Sequence, residues 1–178
     1  MHYTTWPMKI ILVRHAIAED RLSFQSRNKD DGLRPLTRKG KKRMRKGSLG
    51  LRWMIPRIDY LLSSPLVRAA QTAEILALTY PEATRVRATC LAPGGEPQEV
   101  ADELQRLPQD STVVLVGHEP DLSVLAAWLC NGSAFSFCDF KKGAACLLES
   151  ITQPGPASTM MQWALTPRQL RDMGEHNA

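Results

Sequence analysis

The sequence predicts an α/β fold built around a mostly parallel sheet. Two short apolar runs rich in β-branched residues, at residues 9–13 and 112–116, predict buried strands, and each run ends abruptly at polar residues. Segments of helical character alternate with the predicted strands along the chain, and this alternation is typical of parallel sheets. The length of 178 residues predicts one domain that spans residues 1–178.

Capping and turn residues mark where the other elements begin and end. Thr37 is a suitable N-cap for a long helix, although three glycines weaken that prediction, and Ser64-Pro65 combines a good N-cap with a proline suited to a first turn. We interpret the polar segment 18–36 as a loop and Pro93-Gly94-Gly95 as a turn. In chain order, we predict strand 9–13, helix 37–53, strand 60–63, helix 64–79, helix 97–107, strand 112–116, helix 121–129, strands 144–151 and 160–165, and a last helix from residue 167.

The composition excludes a membrane protein and a disordered one. Apolar residues make up 43% of the chain and charged residues 23%, and both shares are ordinary for a globular domain. No apolar run approaches the ~20 residues that a membrane-spanning helix needs. Residues 1–8 carry no basic stretch and do not resemble a secretory signal. We therefore expect a cytoplasmic protein without membrane association.

The four cysteines predict neither a structural zinc site nor disulfide bonds. No two of them form a CxxC pair, and no histidine lies three to five residues from another. In a reducing compartment we expect free thiols that pack as small apolar side chains. The cysteines are Cys90, Cys130, Cys138 and Cys146.

The net charge of +5 is concentrated in one basic run, residues 38–46, which holds seven Lys and Arg. A run of this kind can bind nucleic acid or an acidic partner, but it is more often the solvated face of a helix, and we favour that interpretation. A nucleic-acid-binding module based on this run is a weaker alternative, because no aromatic residues are interleaved with the basic ones. We therefore expect no obligate nucleic-acid partner.

Two histidines follow directly after the two best-predicted strands. They are His15, which is preceded by Arg14, and His118. Ligands of open α/β sheets bind beyond the carboxyl ends of the strands, so two parallel strands would bring both imidazoles to one edge. A single histidine in such a place is more often a core residue. Two at equivalent positions favour a functional site.

Arg68 lies near the start of the helix that Ser64-Pro65 is predicted to open. A helix N-terminus favours anions, and an arginine there adds paired donors suited to phosphate. Taken alone, Arg68 is more simply an exposed helix residue. Taken together with Arg14, His15 and His118, it favours a phosphate pocket.

These four residues favour phosphoryl transfer through a covalent intermediate. Neutral imidazole is a nucleophile, and phosphoryl transfer needs positive charge around the equatorial oxygens. Two arginines and a second histidine can supply that charge without a metal. The sequence has no GxxxxGK[ST] loop and no obvious acidic metal-binding cluster, which argues against an NTPase or a metal-dependent phosphatase. We therefore expect neither a metal nor a cofactor.

Five motifs resemble, in order and spacing, those of the histidine phosphatase (phosphoglycerate mutase-like) superfamily. The pattern is similar to that of the SixA-like branch, the phosphohistidine phosphatases, from Lys9 to about Leu170. The resemblance implies a three-layer sandwich with a mostly parallel central sheet between helices. The motifs are Leu12-Val-Arg-His-Ala16, which resembles the RHG signature, Arg34-Pro-Leu-Thr37, Leu62-Ser-Ser-Pro-Leu-Val-Arg-Ala-Ala-Gln-Thr72, Leu91-Ala-Pro-Gly-Gly95 and Val114-Leu-Val-Gly-His118.

The resemblance implies a role for each matching residue. His15 would accept the phosphoryl group, and Arg14, Arg68 and His118 would bind it and stabilise its transition state. Ala16 replaces the glycine of the RHG signature, and we expect activity to survive this small change. The implied substrate is a phosphorylated histidine-containing protein. A small-molecule phosphomonoester phosphatase or mutase of the same superfamily is the alternative.

The proton donor is the least determined role. Many members of the superfamily carry an acid between the helix of Arg68 and the second histidine, and Glu96 is the candidate here, although a solvated turn carboxylate is an equally good interpretation. Glu99, Glu19 and Asp20 are further candidates. The imidazole that leaves phosphohistidine accepts a proton more readily than a sugar alkoxide, so a dedicated donor is less necessary.

Only 45 residues separate Thr72 from His118, which leaves little chain for a lid. A shallow, open site suits a phosphohistidine on the surface of a protein. The basic run 38–46 could then dock an acidic partner.

Overall fold

The computed structural model describes residues 7–176. Most of the N-terminal segment 1–8 considered above lies outside this range. The elements are β1 (Lys9–Arg14), α1 (Arg21–Gln25), α2 (Arg38–Met54), β2 (Tyr60–Ser63), α3 (Val67–Thr79), β3 (Thr84–Arg87), α4 (Pro97–Gln105), β4 (Thr112–Gly117), α5 (Asp121–Asn131), β5 (Ala145–Ser150), β6 (Thr159–Leu165) and α6 (Pro167–His176).

One mixed sheet of six strands forms the centre, in the order β3-β2-β4-β1-β5-β6. β1 pairs with β4, and β2 pairs with both β3 and β4, in parallel. β5 runs antiparallel to β1 and to β6. The predicted α/β fold with a mostly parallel sheet between helices is therefore confirmed. Arg14, the last residue of β1, pairs with Gly117, the last residue of β4. The segments that follow these two strands therefore leave the sheet side by side.

The central strands are buried on both faces, which is why they are almost entirely apolar. Ile11 and Val13 of β1 face a core shared with α2 and α3, whereas Ile10 and Leu12 face a second core shared with α4 and α5. This alternation follows the two-residue period of a strand. Helices on both faces hold the strand ends in fixed positions, and the candidate site lies at those ends.

The glycines of α2 are explained by close packing. A Cβ atom on Gly50 would lie 1.8 Å from the carbonyl oxygen of Leu170 in α6, and one on Gly40 would lie 2.0 Å from that of Ile17. These glycines lower helix propensity, but they let α2 approach its neighbours. Thr37 is the N-cap of α2, as predicted, and accepts a hydrogen bond from the amide of Gly40 at 2.9 Å.

Three local predictions differ from the structure. Ser64 does not cap α3, which begins at Val67 without a side-chain cap. The Ser64 hydroxyl bonds to a histidine and to the amide of Leu66, which precedes the helix. The segment 18–36 is not simply a loop, since it holds α1 and a 3-10 turn at Asp31–Leu33. The edge strand β3 was not predicted. All of its residues are exposed, so it lacks the apolar pattern that marks a buried strand.

None of the four cysteines forms a disulfide bond, as the sequence predicts. Within residues 7–176, no helix combines the length and the apolar character needed to cross a lipid bilayer.

Candidate active site

The structure brings His15 and His118 together at the carboxyl ends of β1 and β4. Their ring centroids lie 5.2 Å apart, with the rings tilted by 54°. Both side chains are buried, with 5% and 3% of their surface exposed. The backbone amide of His15 donates to the carbonyl of Gly117 at 3.1 Å, so the two strand ends are held in register where the histidines begin.

The hydrogen bond of the His15 ring determines which nitrogen is free. Nδ1 lies 2.7 Å from the backbone carbonyl of Ala16, and because a carbonyl only accepts, Nδ1 carries the proton. Nε2 therefore carries the lone pair. Burial, together with the nearby His118, Arg68 and Arg14, lowers the pKa of His15 to about 3, although the hydrogen bond to Ala16 opposes the shift. At neutral pH the ring is uncharged and Nε2 is a competent nucleophile.

His118 is held by a hydroxyl group from the next strand. Its Nε2 lies 2.8 Å from the Oγ of Ser64, just after β2. Burial lowers the pKa of His118 to about 3, and the positive charge of Arg68 acts in the same direction. This second ring is therefore also neutral at pH 7.

Three buried side-chain nitrogens have no hydrogen-bond partner within the described range. They are Nε of Arg14, Nε of Arg68 and Nδ1 of His118. Unpartnered buried polar atoms are rare, because each one loses its hydration without a replacement. All three belong to residues that line one cavity of about 490 Å³, together with His15. An anion with several acceptor oxygens, such as a phosphoryl group, would supply the missing partners.

The cavity is strongly basic. Besides Arg14 and Arg68, the side chains of Arg21, Arg34 and Lys142 line it. Three carboxylates also line it, those of Glu19, Asp20 and Glu119. This excess of cations over carboxylates suits a dianionic group.

Asp31 contacts three arginines of the cavity, Arg21, Arg34 and Arg68. Arg68 is 3% exposed and donates from Nη1 to the Asp31 carbonyl at 2.9 Å, while lying 3.3 Å from its Oδ2. Arg34 donates to Oδ1 of Asp31 at 2.8 Å. Burial raises the pKa of Asp31, but hydrogen bonds from Arg21 and Arg34 and the charge of Arg68 outweigh it and lower the pKa to about 2. Asp31 is thus an anion that orients Arg68.

Thr72 ties the start of α3 to the chain after His15. Its hydroxyl donates to the carbonyl of Arg68 at 2.7 Å and accepts from the amide of Ala16 at 3.0 Å. One buried side chain therefore couples the backbone of Arg68 to the backbone beside His15.

Arg14 and Glu119 together hold the segment before β5. Arg14 donates from Nη1 to the carbonyl of Phe140, and Glu119 accepts from the amide of Phe140 at 3.4 Å and from the hydroxyl of Ser123 at 2.7 Å. Burial raises the pKa of Glu119, although these bonds oppose the shift.

The four residues predicted as phosphate ligands, Arg14, His15, Arg68 and His118, all line the same cavity. Glu96 does not line it, because it lies exposed at the N-cap of α4. Glu99, another candidate donor, is exposed in the first turn of α4, whereas Glu19 and Asp20 do line the cavity.

Sequence reasoning did not identify Asp31 or Glu119. Asp31 lies in a polar segment with no local pattern that distinguishes it from Asp30 beside it. The sequence does offer a reason to consider Glu119 as a site residue, because it directly follows a histidine at the end of a predicted strand. In the described part of the chain, no group of three or more His, Cys, Asp or Glu side chains is arranged to hold a metal ion.

The two neutral histidines predict that acid destabilises the folded protein. Their pKa values are about 3 when folded and return to the ordinary 6.5 on unfolding. Between these values the unfolded chain binds more protons, so the free energy of unfolding falls as the pH decreases from 6.5 towards 3. Each histidine contributes a slope of up to about 1.4 kcal/mol per pH unit.

Urea unfolding at pH 7, 6 and 5 measures this slope. The variant His118→Gln should show a shallower dependence than the native protein. Replacing the exposed His176 with glutamine should leave the slope unchanged. Equal slopes for all three proteins would contradict the assignment of His118 as a buried neutral base.

Comparison with known proteins places these features in context. The model of the histidine phosphatase superfamily (branch 1) matches residues 10–89. An uncharacterized protein from Picosynechococcus sp. is 35% identical over 149 residues, which cover 80% of this chain and 86% of the relative.

Two solved structures share the fold. A protein histidine phosphatase SixA complexed with tungstate is similar with a TM-score of 0.76 and 26% identity, over 92% of this chain and 99% of that one. A phosphoglycerate mutase from Plasmodium falciparum is similar with a TM-score of 0.64 and 15% identity, over 89% of this chain and 90% of the mutase. At that lower identity the likeness concerns the fold alone.

Proposed function

Because the chain belongs to the histidine phosphatase superfamily, in its SixA-like branch, we propose that it removes phosphate from protein histidine through a phosphoryl intermediate on His15. The chain is a phosphatase of this superfamily. One observation carries the finer proposal. The neutral His15 lies in one cavity with three residues that each carry one buried nitrogen without a hydrogen-bond partner among residues 7–176.

In the first step, Nε2 of His15 attacks the phosphorus atom in line with the bond to the substrate. The new Nε2–P bond forms as the P–N bond of phosphohistidine breaks. The departing substrate nitrogen takes up a proton from solvent, so the substrate histidine leaves uncharged. The lone pair on Nε2 is available because Nδ1 donates to the carbonyl of Ala16.

In the second step, a water molecule attacks the phosphorus of phosphorylated His15. The Nε2–P bond breaks, its electron pair returns to the ring, and the water oxygen becomes the fourth oxygen of inorganic phosphate. Both water protons are first carried by the product as H₂PO₄⁻, which releases one of them to solvent according to pH. The ring is then neutral again, which its low pKa favours.

Positive charge stabilises both transition states. The transferred group carries negative charge on three equatorial oxygens, and fixed donors aimed at them lower the barrier. Arg14 and Arg68 supply guanidinium groups, and Asp31 keeps Arg68 in position through the contacts described above. Nδ1 of His118 supplies a further polar contact in the cavity.

The absence of a long insertion near the site supports a protein substrate. The chain between Thr72 and His118 forms the rest of α3 and then β3, α4 and β4, with short connections. The longest stretch without a regular helix or strand there, residues 88–96, includes a 3-10 turn at Thr89–Leu91. Within this stretch, only Pro93 lines the cavity of about 490 Å³. A phosphohistidine that projects from a protein surface could therefore reach His15.

Rates on different substrates test this proposal. We expect kcat/KM for a protein that carries phosphohistidine to exceed that for sugar phosphates by about 100-fold or more, which corresponds to about 2.7 kcal/mol of transition-state discrimination. Release of inorganic phosphate from both substrates measures it. Equal or faster hydrolysis of sugar phosphates would instead favour a small-molecule phosphatase, and phosphate transfer between sugar positions would favour a mutase.

A further inference from the structure

A second cavity adjoins the proposed active site. Its volume is about 550 Å³, and it shares Arg14 and Lys142 with the cavity of His15. Its walls come from α2, the turn before β5 and the start of α6. Because two side chains line both cavities, the second cavity lies directly beside the cavity of His15.

We call this second cavity the basic cleft, because it is lined by six cationic side chains and, in the part of the chain that the structure describes, by no acidic one. The six are Arg14, Arg43, Lys141, Lys142, Arg168 and Arg171. Such an arrangement repels itself unless anions are nearby, so it favours a negatively charged occupant.

Most of these charges are not neutralised within the protein. Arg43, Lys141 and Lys142 have no side-chain hydrogen bond or ion pair among residues 7–176. In the same range, Arg171 donates to the carbonyl of Pro167 and makes no ion pair. Arg168 makes an exposed contact with Asp172 at 3.7 Å, and Arg14 lies 4.0 Å from the carboxylate of Asp139. The pKa of Lys142 is lowered by partial burial and by the positive charges of the neighbouring arginines.

The cleft also has an apolar part. Ile17, Met44 and Pro167 line it between the cations. A free inorganic anion would leave this apolar surface exposed to water. An acidic polypeptide segment with aliphatic residues would cover it while pairing with the cations.

A segment beside the basic cleft also favours a protein as its occupant. The chain that leads to Lys141 exposes Phe135 and Phe137, whose surfaces are 87% and 53% accessible. Exposed aromatic side chains are enriched where proteins bind each other. Among residues 7–176, no aromatic side chain lines the cleft itself, so this part of the chain supplies none of the stacking surfaces with which proteins bind single-stranded nucleic acid.

We propose that the basic cleft binds an acidic segment of the phosphoprotein substrate, next to the phosphohistidine that enters the cavity of His15. This inference rests on the proposed function and specifies its substrate class: a phosphohistidine protein with acidic and aliphatic residues beside the modified histidine. Charge complementarity also accelerates the encounter of the two proteins and makes it sensitive to salt.

A binding measurement with matched variants tests the cleft. The probe is a fluorescein-labelled peptide of alternating Glu and Leu, and its Kd for the full chain is measured by fluorescence anisotropy at low salt. The double variant Arg43→Gln/Lys141→Gln should raise Kd about tenfold, because two unpaired cations are lost. The control Lys42→Gln/Arg45→Gln removes the same two residue types from α2 outside the cleft and should keep the native Kd.

Other results would overturn the inference. Equal Kd values for the two double variants would do so, as would equal binding of a peptide in which Gln replaces Glu. Tighter binding of a single-stranded RNA of similar length, displacing the peptide, would show that the occupant is nucleic acid. Thermal unfolding of both variants verifies that they are folded.

A kinetic comparison links the cleft to the substrate. For the native chain, a phosphohistidine peptide with Glu beside the modified histidine should have a kcat/KM about tenfold above one with Gln there, and the cleft double variant should abolish this preference. Failure of the proposed function looks different: the native chain would hydrolyse neither peptide. The anisotropy measurement does not depend on turnover. It therefore tests whether the cleft binds an acidic peptide even if the chain hydrolyses neither phosphohistidine peptide.

Discussion

Replacing His15 with alanine should lower kcat on a phosphohistidine protein by about 10⁴-fold or more, as expected when a covalent nucleophile is removed. The side chain is the proposed phosphoryl acceptor, with Nε2 free because Nδ1 is fixed on the carbonyl of Ala16. Alanine leaves Arg14 and Arg68 in place, so substrate binding should decline far less than turnover.

Two measurements and a control variant complete this test. Release of inorganic phosphate gives kcat, and thermal unfolding verifies that the variant is folded. Replacing the exposed His176 with alanine should leave both values native. If the His15→Ala protein turned over at the native rate, the assignment of the nucleophile would be wrong.

Replacing Arg68 with glutamine should lower kcat/KM by about 10³-fold, because a guanidinium that stabilises transferred phosphoryl charge contributes on that scale. Arg68 is buried and fixed by Asp31, so no solvent cation can take its place. Lysine should restore little of the loss, since it offers a point charge in place of a fork of paired donors.

The variant should still fold, since Asp31 keeps its contacts with Arg34 and Arg21 when Arg68 is replaced. Thermal unfolding checks this. A matched control, Arg57→Gln, removes an exposed arginine that precedes the start of β2, at the opposite end of that strand from the site, and should leave kcat/KM native. A loss of less than tenfold for Arg68→Gln would show that Arg68 does not contact the transferred group.

The fold was predictable because its strongest signals are local. The apolar runs of β1 and β4 have no polar interruption, and Thr37 caps α2 through its own side chain. The cap at Ser64 was predicted wrongly, since its hydroxyl bonds to His118, 54 residues away. No local pattern reports a tertiary contact of that kind.

The residues of the site that directly follow strands were predictable from the sequence. His15 and His118 directly follow β1 and β4, whose pairing brings them together. Asp31 could not be identified, because its importance arises from three arginines that the fold collects around it. The basic cleft could not be identified either, since α2, α6 and the turn before β5 form it jointly.

Mapping the phosphoryl group on the trapped enzyme tests the central claim most directly. The protein would be mixed briefly with a phosphohistidine protein, quenched in alkali to preserve P–N bonds, digested and sequenced by mass spectrometry, with ³¹P NMR to identify the nitrogen. The account predicts one phosphoryl group, on Nε2 of His15. Phosphate on any other residue, or turnover without a phosphorylated enzyme, would contradict it.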